Sequence, residues 1–302
     1  MTKLYTFGEM KQLLNAKVEN INVNNLVRGF SIDSRTLKDG DLFFCIKGEN
    51  TDGHHYISQA LEKGASGIVA NPDNIPQAMK NCDLPCILVT DPNKALREWA
   101  ADVRKKFSGK VLAITGSNGK TSTKDILSGL CRYLDPQAYS THGNYNNFIG
   151  VPLTILNAVQ KAKWWIIEIG TNQFGEIAEL SNMVRPTAGI ITNIGESHLE
   201  FLGSTAGVAK EKSGLFAGMT PESNVVIPDS LLHLQLVEEA GAKAGVSITK
   251  TAQFSEKSAA GKNKFRLFEE EFETSIDSPL LRQNLIFCFN TFTIGRCSCF
   301  RT

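Results

Sequence analysis

The stretch that decides the fold reads Val111-Leu112-Ala113-Ile114-Thr115-Gly116-Ser117-Asn118-Gly119-Lys120-Thr121-Ser122-Thr123-Lys124-Asp125-Ile126-Leu127. An unbroken apolar run predicts a buried strand, two glycines turn the chain, and the segment after them starts a helix. A strand that opens through a glycine-rich turn into a helix is the architecture of a phosphate-binding loop. Gly116 and Gly119 let the backbone curl, so that N–H groups between Thr115 and Ser122 point at one anion. Lys120 reaches the outer phosphates, and the Thr121 hydroxyl can hold Mg²⁺. Ile114 stands where the full G-x-x-x-x-G-K-[ST] pattern has its first glycine, so the turn alone is only moderately specific. Its flanking strand and helix make a nucleotide the expected ligand.

Downstream, the sequence predicts strands near 164–169, 188–193 and 225–227, alternating with helices near 121–133, 176–184 and 205–217. Such alternation implies parallel strands with crossover helices, and ligands then bind beyond the carboxyl ends of the strands. Three strands deliver polar residues there: Thr115 with its loop, Glu168 with Thr171-Asn172, and Asn193 with Glu196 and His198. A carboxylate at the tip of an apolar strand beside a phosphate loop, as Glu168 is, can hold the nucleotide's Mg²⁺. His198 on the same rim can complete a second cation site.

Upstream, residues 1–90 read as a smaller α/β unit, with strands near 30–33, 42–46, 67–70 and 86–90 and a helix near 56–63 that Gly64 stops. Asp91-Pro92-Asn93 then punctuates the start of a connecting helix that runs to about Phe107. Within these 302 residues, 32 basic and 31 acidic side chains nearly cancel, which offers nothing to a nucleic acid or an anionic membrane. The apolar runs are strand-sized, and residues 1–10 lack the apolar core of a signal peptide, so no membrane insertion and a cytoplasmic location are expected. Seven cysteines show no ligand-like or paired spacing; free thiols and no zinc are expected.

Several polar groups are ambiguous by residue type. Lys210 and Lys212, on either side of Glu211, read as a solvated helix face. Asp33-Ser34-Arg35 and Asp52-Gly53-His54 read as turns, although Arg35 could pair bidentately with a phosphate or carboxylate. The segment from Thr141 to Pro152, with Asn144, Asn146 and Asn147, is too rich in amides for a plain connector and reads as a substrate-facing loop.

In order along the chain, Asp33-Ser34-Arg35, Gly40-Asp41-Leu42-Phe43, Asp52-Gly53-His54, the Thr115–Thr121 loop, Gly143-Asn144-x-Asn146-Asn147-x-Ile149-Gly150-x-Pro152, Glu168-Ile169-Gly170, Gly175-Glu176-Ile177 and Thr192-Asn193-Ile194-Gly195-x-x-His198-Leu199 form a specific set. Over residues 1 to about 277 the chain resembles the Mur ligases, closest to the branch (MurF) that joins D-alanyl-D-alanine to UDP-N-acetylmuramoyl-tripeptide in peptidoglycan synthesis. Lys124 and the Gly-Asn-x-Asn-Asn loop favour that branch over the MurE-type amino-acid-adding ligases. The resemblance implies a small N-terminal UDP-substrate domain (1–90), then a P-loop ATPase domain with a mostly parallel sheet (91–279).

By the same resemblance, Lys120 neutralises the transferring phosphoryl group, and Thr121 and Glu168 hold the Mg²⁺ of ATP. His198 and a carbamoylated Lys212 hold a second cation, although Glu211 stands where the family has alanine before that lysine. Ser34, Arg35, Asp52 and His54 face the UDP-sugar end, and Asn144, Asn146 and Asn147 the nucleotide–peptide junction. A monomer is expected. The tail 280–302 departs from the family, with no Gly-x-His-Asn-x-x-Asn helix start, and reads as a shifted frame. The expectation is a chain without the third domain and inactive as it stands, with a non-catalytic nucleotide-binding remnant as the competing reading.

Overall fold

The computed structural model describes residues 5–48, 51–79 and 85–251, and the backbone of three further strands between 256 and 274. Cys82, Cys288, Cys297, Cys299 and the tail 280–302 lie outside the described residues. The described residues divide into two compact units, one within 1–107 with 152–160 and the other within 108–151 with 161–302.

The first unit runs β1 (Tyr5–Thr6), α1 (Phe7–Leu14), β2 (Lys17–Glu19), β3 (Leu26–Val27), β4 (Gly29–Ser31), β5 (Asp41–Phe44), α2 (Ile57–Glu62), β6 (Gly67–Ala70), β7 (Cys86–Leu88) and α3 (Pro92–Lys106). Its sheet has the order β2-β7-β6-β5-β4, parallel except for β2, while β1 pairs with β3. Helix α1 starts on a capping box, with Thr6 and Glu9 bonding each other's backbone N–H. Asp91 caps α3 by accepting from the N–H groups of Asn93 and Lys94, and Pro92 fills the first helical position.

The connecting helix α3 packs with this first unit. Trp99 is 2% exposed and meets Phe30 edge-on at 4.7 Å between ring centroids and Tyr5 at 5.5 Å, with Phe44 at 6.2 Å. Phe43, Cys45, Ile57, Ala60, Ile68 and Cys86 form a second cluster around α2.

The second unit continues with β8 (Lys110–Thr115), α4 (Lys120–Leu134), β9 (Tyr139–Ser140), α5 (Gly150–Asn157), β10 (Trp164–Glu168), α6 (Glu176–Val184), β11 (Ala188–Ile191), α7 (Leu199–Leu202), α8 (Thr205–Lys212), β12 (Asn224–Pro228), α9 (Leu234–Ala244) and β13 (Ser247–Thr251). Residues 152–160, which include most of α5, cluster with the first unit. Three antiparallel strands follow, β14 (Glu256–Lys257), β15 (Asn263–Leu267) and β16 (Glu270–Thr274).

The main sheet has the order β13-β12-β11-β8-β10-β9 and is parallel throughout. The α/β expectation holds, and the chain winds to one side of β8 through β9 and β10 and to the other through β11 to β13. That reversal opens a crevice beyond the carboxyl end of β8. Strands β8, β10 and β11 read as continuous apolar runs because they are buried on both faces. Leu127 and Cys131 of α4, one turn apart, pack on Leu112, Ile114, Trp164, Ile166 and Ile190.

The expected helix over 205–217 divides: α8 ends at Lys212 and the chain tightens into a 3₁₀ helix over Ser213–Gly218. The Ser213 hydroxyl donates back to the Ala209 carbonyl at that junction. Cys45, Cys86 and Cys131 are buried free thiols. Among the described residues no helix is long and apolar enough to cross a membrane.

Candidate active site

Register brings three strand ends together. Glu168 pairs with Ile114 across β10 and β8, and Ile191 with Thr115 across β11 and β8. The loop that leaves β8 needs its glycines: Gly116 has φ +144°, and a Cβ there would lie 2.0 Å from Thr192 Oγ1, while Gly119 has φ +80°. Helix α4 begins at Lys120 behind the left-handed Gly119, and the first N–H groups of a helix have no intrahelical partners.

The first half of the loop is bonded internally. Ser117 N–H donates to the Asn193 carbonyl (3.1 Å) and Asn118 N–H to Asn193 Oδ1 (2.8 Å). The Ser117 and Asn118 N–H groups are therefore already engaged within the protein. Thr115 itself is buried, with a hydroxyl that has no partner.

Lys120 Nζ donates to the carbonyls of Gly116 (2.8 Å) and Ser117 (3.3 Å), within its own loop. Burial lowers the pKa of this ammonium, and Glu168 partly opposes the shift. Glu168 is 1% exposed, which an unpaired carboxylate would not tolerate. The Thr121 hydroxyl donates to Oε2 at 3.0 Å and the Asn146 amide to Oε1 at 2.8 Å, while the Glu168 N–H donates to Thr141 Oγ1 at 2.9 Å.

A hydroxyl and a carboxylate oxygen this close are hard donors suited to Mg²⁺, which takes one or two protein groups and fills its shell with phosphate and water. Among the described residues no group of three or more His, Cys, Asp or Glu could hold a metal by itself. The site fits a cation delivered with a nucleotide.

The amide-rich segment has a mixed role. Asn146 turns inward to Glu168. Asn147 caps α5, its Oδ1 accepting from the N–H groups of Ile149 and Gly150. Asn144 is exposed, and its carbonyl accepts from the Asn146 N–H.

The solvated face expected at 210–212 is corrected: only Lys210 is exposed, while Glu211 and Lys212 are buried at 3% and 1%. Glu211 accepts from the N–H groups of Gly175 (2.6 Å) and Ile177 (2.9 Å) and from the Thr171 hydroxyl (3.1 Å). It caps α6 from a neighbouring helix, where a carboxylate also meets the positive end of the helix dipole. Glu211→Ala leaves the buried Ile177 N–H without this acceptor and uncaps Gly175. Stability is expected to fall by about 2 kcal/mol, read as a lower urea midpoint at unchanged slope.

Lys212 has its pKa pushed down to about 7, first by burial and then by the nearby Lys120 charge, with Glu211 and Glu176 opposing. His198 stands at φ +53° before α7, exposed, and its ring makes no hydrogen bond among the described residues.

In the first unit, Asp33 and Arg35 pair with each other, Nη2 to Oδ2 at 2.8 Å and Nε to Oδ1 at 3.0 Å. That guanidinium holds the Asp33 carboxyl below the usual carboxylate range. Arg35 remains mostly exposed. Ser34 is buried and donates to Gln59 Oε1 at 2.6 Å. Asp52 bonds His54 Nδ1, and His54 Nε2 accepts from the Asn71 N–H at 3.0 Å, so both ring nitrogens of this buried histidine are engaged within the protein. Residue types did not give these inward contacts of Ser34, His54, Asn146 and Glu211. Thr192 was also missed as a loop partner, although a Thr-Asn pair at an apolar strand end was the available signal.

The Mur ligase middle domain matches residues 114–294, and the catalytic domain of the Mur ligase family matches residues 26–104. A UDP-N-acetylmuramoyl-tripeptide–D-alanyl-D-alanine ligase of Haemophilus influenzae is 32% identical over 293 residues, which cover 94% of this chain and 62% of that protein. The structure of MurF from Acinetobacter baumannii superposes with a TM-score of 0.84 at 24% identity, over 98% of this chain and 66% of that one. A MurF ligase from Thermotoga maritima, solved in complex with ADP, gives a TM-score of 0.73 at 25% identity, over 88% and 63%. The chain thus spans about two thirds or less of these relatives' length.

Proposed function

This chain belongs to the Mur ligase family, and on that premise we propose that it acts in ATP-dependent ligation of D-alanyl-D-alanine to UDP-N-acetylmuramoyl-tripeptide, in the cytoplasm. The observation that carries the reading is the Thr121–Glu168 pair, 3.0 Å apart beside Lys120 at the mouth of the phosphate loop. ATP supplies the driving force: a carboxylate oxygen of the peptide takes the γ-phosphoryl group and ADP leaves, and the amine of the dipeptide then attacks the acyl carbon, losing a proton as phosphate departs, to leave an amide.

Within this chain, the amides at the start of α4 orient the phosphates, and Lys120 leaves its loop carbonyls to balance their charge. Thr121 and Glu168 would hold Mg²⁺, with Asn146 fixing the second Glu168 oxygen. A carbamoylated Lys212 and His198 would hold a second cation. In the first unit, Arg35 is the exposed cation best able to meet the precursor's diphosphate, while Ser34, Asp52 and His54 shape the loops around it.

Phosphate release tests the reading. Release that requires ATP, the tripeptide precursor and D-alanyl-D-alanine together supports the reading, against the sequence expectation of an inactive chain. Release that needs a single amino acid and a shorter precursor would move the chain to the amino-acid-adding branch. No precursor-dependent release under any combination would overturn ligation by this chain and leave nucleotide binding.

Carbamate formation needs a neutral amine, and the fraction of neutral Lys212 rises with pH through about 7. With ¹³C-labelled CO₂ at fixed dissolved concentration, a carbamate ¹³C signal is expected to grow as pH passes from 6 to 8 (chosen to bracket about 7). Lys212→Ala should lose it, whereas Lys210→Ala, on the exposed face, should keep it. Loss in Lys210→Ala alone would move the assignment.

A further inference from the structure

The segment that leaves β11 grips the phosphate loop along its whole first half. Asn193 takes two successive loop amides, Ser117 N–H with its backbone carbonyl and Asn118 N–H with its side-chain oxygen. The Thr192 hydroxyl donates to the Asn118 carbonyl at 2.6 Å, so both backbone groups of Asn118 are held. Ser117 Oγ adds contacts to the Gly195 N–H (3.0 Å) and to Ser197 Oγ (2.9 Å). The side-chain amide of Asn193 has only one sensible orientation here, because the group facing it is an N–H donor.

We infer that Asn193 is a positioning residue for nucleotide binding, one that sets the curled loop before the nucleotide arrives. A loop with Gly116 and Gly119 has many conformations open to it, and an anion that must order them binds more weakly by the fraction already competent. Asn193 removes that cost from a neighbouring strand without touching the phosphates, since its acceptors face loop amides and would repel an anion. It also passes directly, through the four residues Ile194 to Ser197, to His198, so one short link joins the loop to the proposed second-cation ligand. The inference rests on reading residues 115–122 as the phosphate site.

The test is calorimetric titration of the whole chain with Mg·ADP, paired with hydrogen exchange at the loop amides. Asn193→Ala is expected to weaken binding about tenfold and to speed exchange at Ser117 and Asn118, with exchange in β8 unchanged. Asn193→Asp keeps the acceptor oxygen, so it should keep Asn118 protected while its added charge weakens anion binding. A purely structural role would not separate the two readouts in that way. If Lys120→Ala lowers affinity and Asn193→Ala does not, the inference fails and the phosphate site stands. If Lys120→Ala binds as the wild type does, the phosphate site itself is wrong. Should Asn193→Ala not fold, loss of Asn118 protection in Asn193→Asp overturns the inference.

Discussion

Lys120→Ala is expected to weaken Mg·ATP binding by about 100-fold or more, because the one loop cation that can reach the outer phosphates disappears from a half-buried site. Burial already lowers the pKa of this ammonium, so the charge is held at a cost that only an anion nearby recovers. Lys120→Met keeps the stem and removes only the charge, and it should lose nearly as much. The loop itself should survive both changes, since the backbone N–H groups of Ser117 and Asn118 and the Asn118 carbonyl are held by Asn193 and Thr192, and only the Gly116 and Ser117 carbonyls lose the Lys120 contact. Equal affinities for wild type and both variants in calorimetry would remove the basis for the nucleotide site.

The second large effect lies in the core of the first unit. Trp99→Ala is expected to destabilise the first unit by about 3–5 kcal/mol, because it empties a volume bounded by Tyr5, Phe30 and Phe44. Trp99→Phe should recover roughly half. Two-step urea unfolding, with the earlier step moved by Trp99→Ala and the later one fixed, is the expected signature. A shift under 1 kcal/mol (about the scale of a surface change) would show that α3 contributes little to this core.

The four inner strands of the doubly wound sheet were legible in the sequence because they are apolar and its glycines fall where the chain turns, whereas the edge strands β9 and β13, half-buried and polar, gave no such run. Glu168 stood out for a different reason: a carboxylate that ends the run Trp164-Trp165-Ile166-Ile167 would read as solvent-facing without the glycine-rich loop, and the structure buries it against Thr121 and Asn146. Helix α1 was less visible, since its signal is a two-residue capping box rather than a long apolar stripe. Lys212 and Lys210 show the limit most sharply. Two lysines two residues apart have the same local sequence character, yet one is buried and the other exposed, and only packing of α8 against α6 separates them. The place of α3 was hidden for the same reason. Asp91-Pro92 marks where a helix starts, whereas its partners are set by rings from Tyr5, Phe30 and Phe44.

The side chain of Asn157 has a practical consequence for anyone who wishes to cut this chain. Its amide accepts from the Phe30 N–H at 3.1 Å and donates to the Phe30 carbonyl at 3.0 Å, along β4, the outermost strand of the first sheet. A single amide therefore imitates an extra strand and blunts an edge that would otherwise pair with other chains. That protection comes from a segment some 120 residues downstream of the strand it shields, about a whole domain away in sequence. A clone stopped at Phe107 would carry the entire five-stranded sheet with its seam open, and should form oligomers through β4 where the longer chain does not.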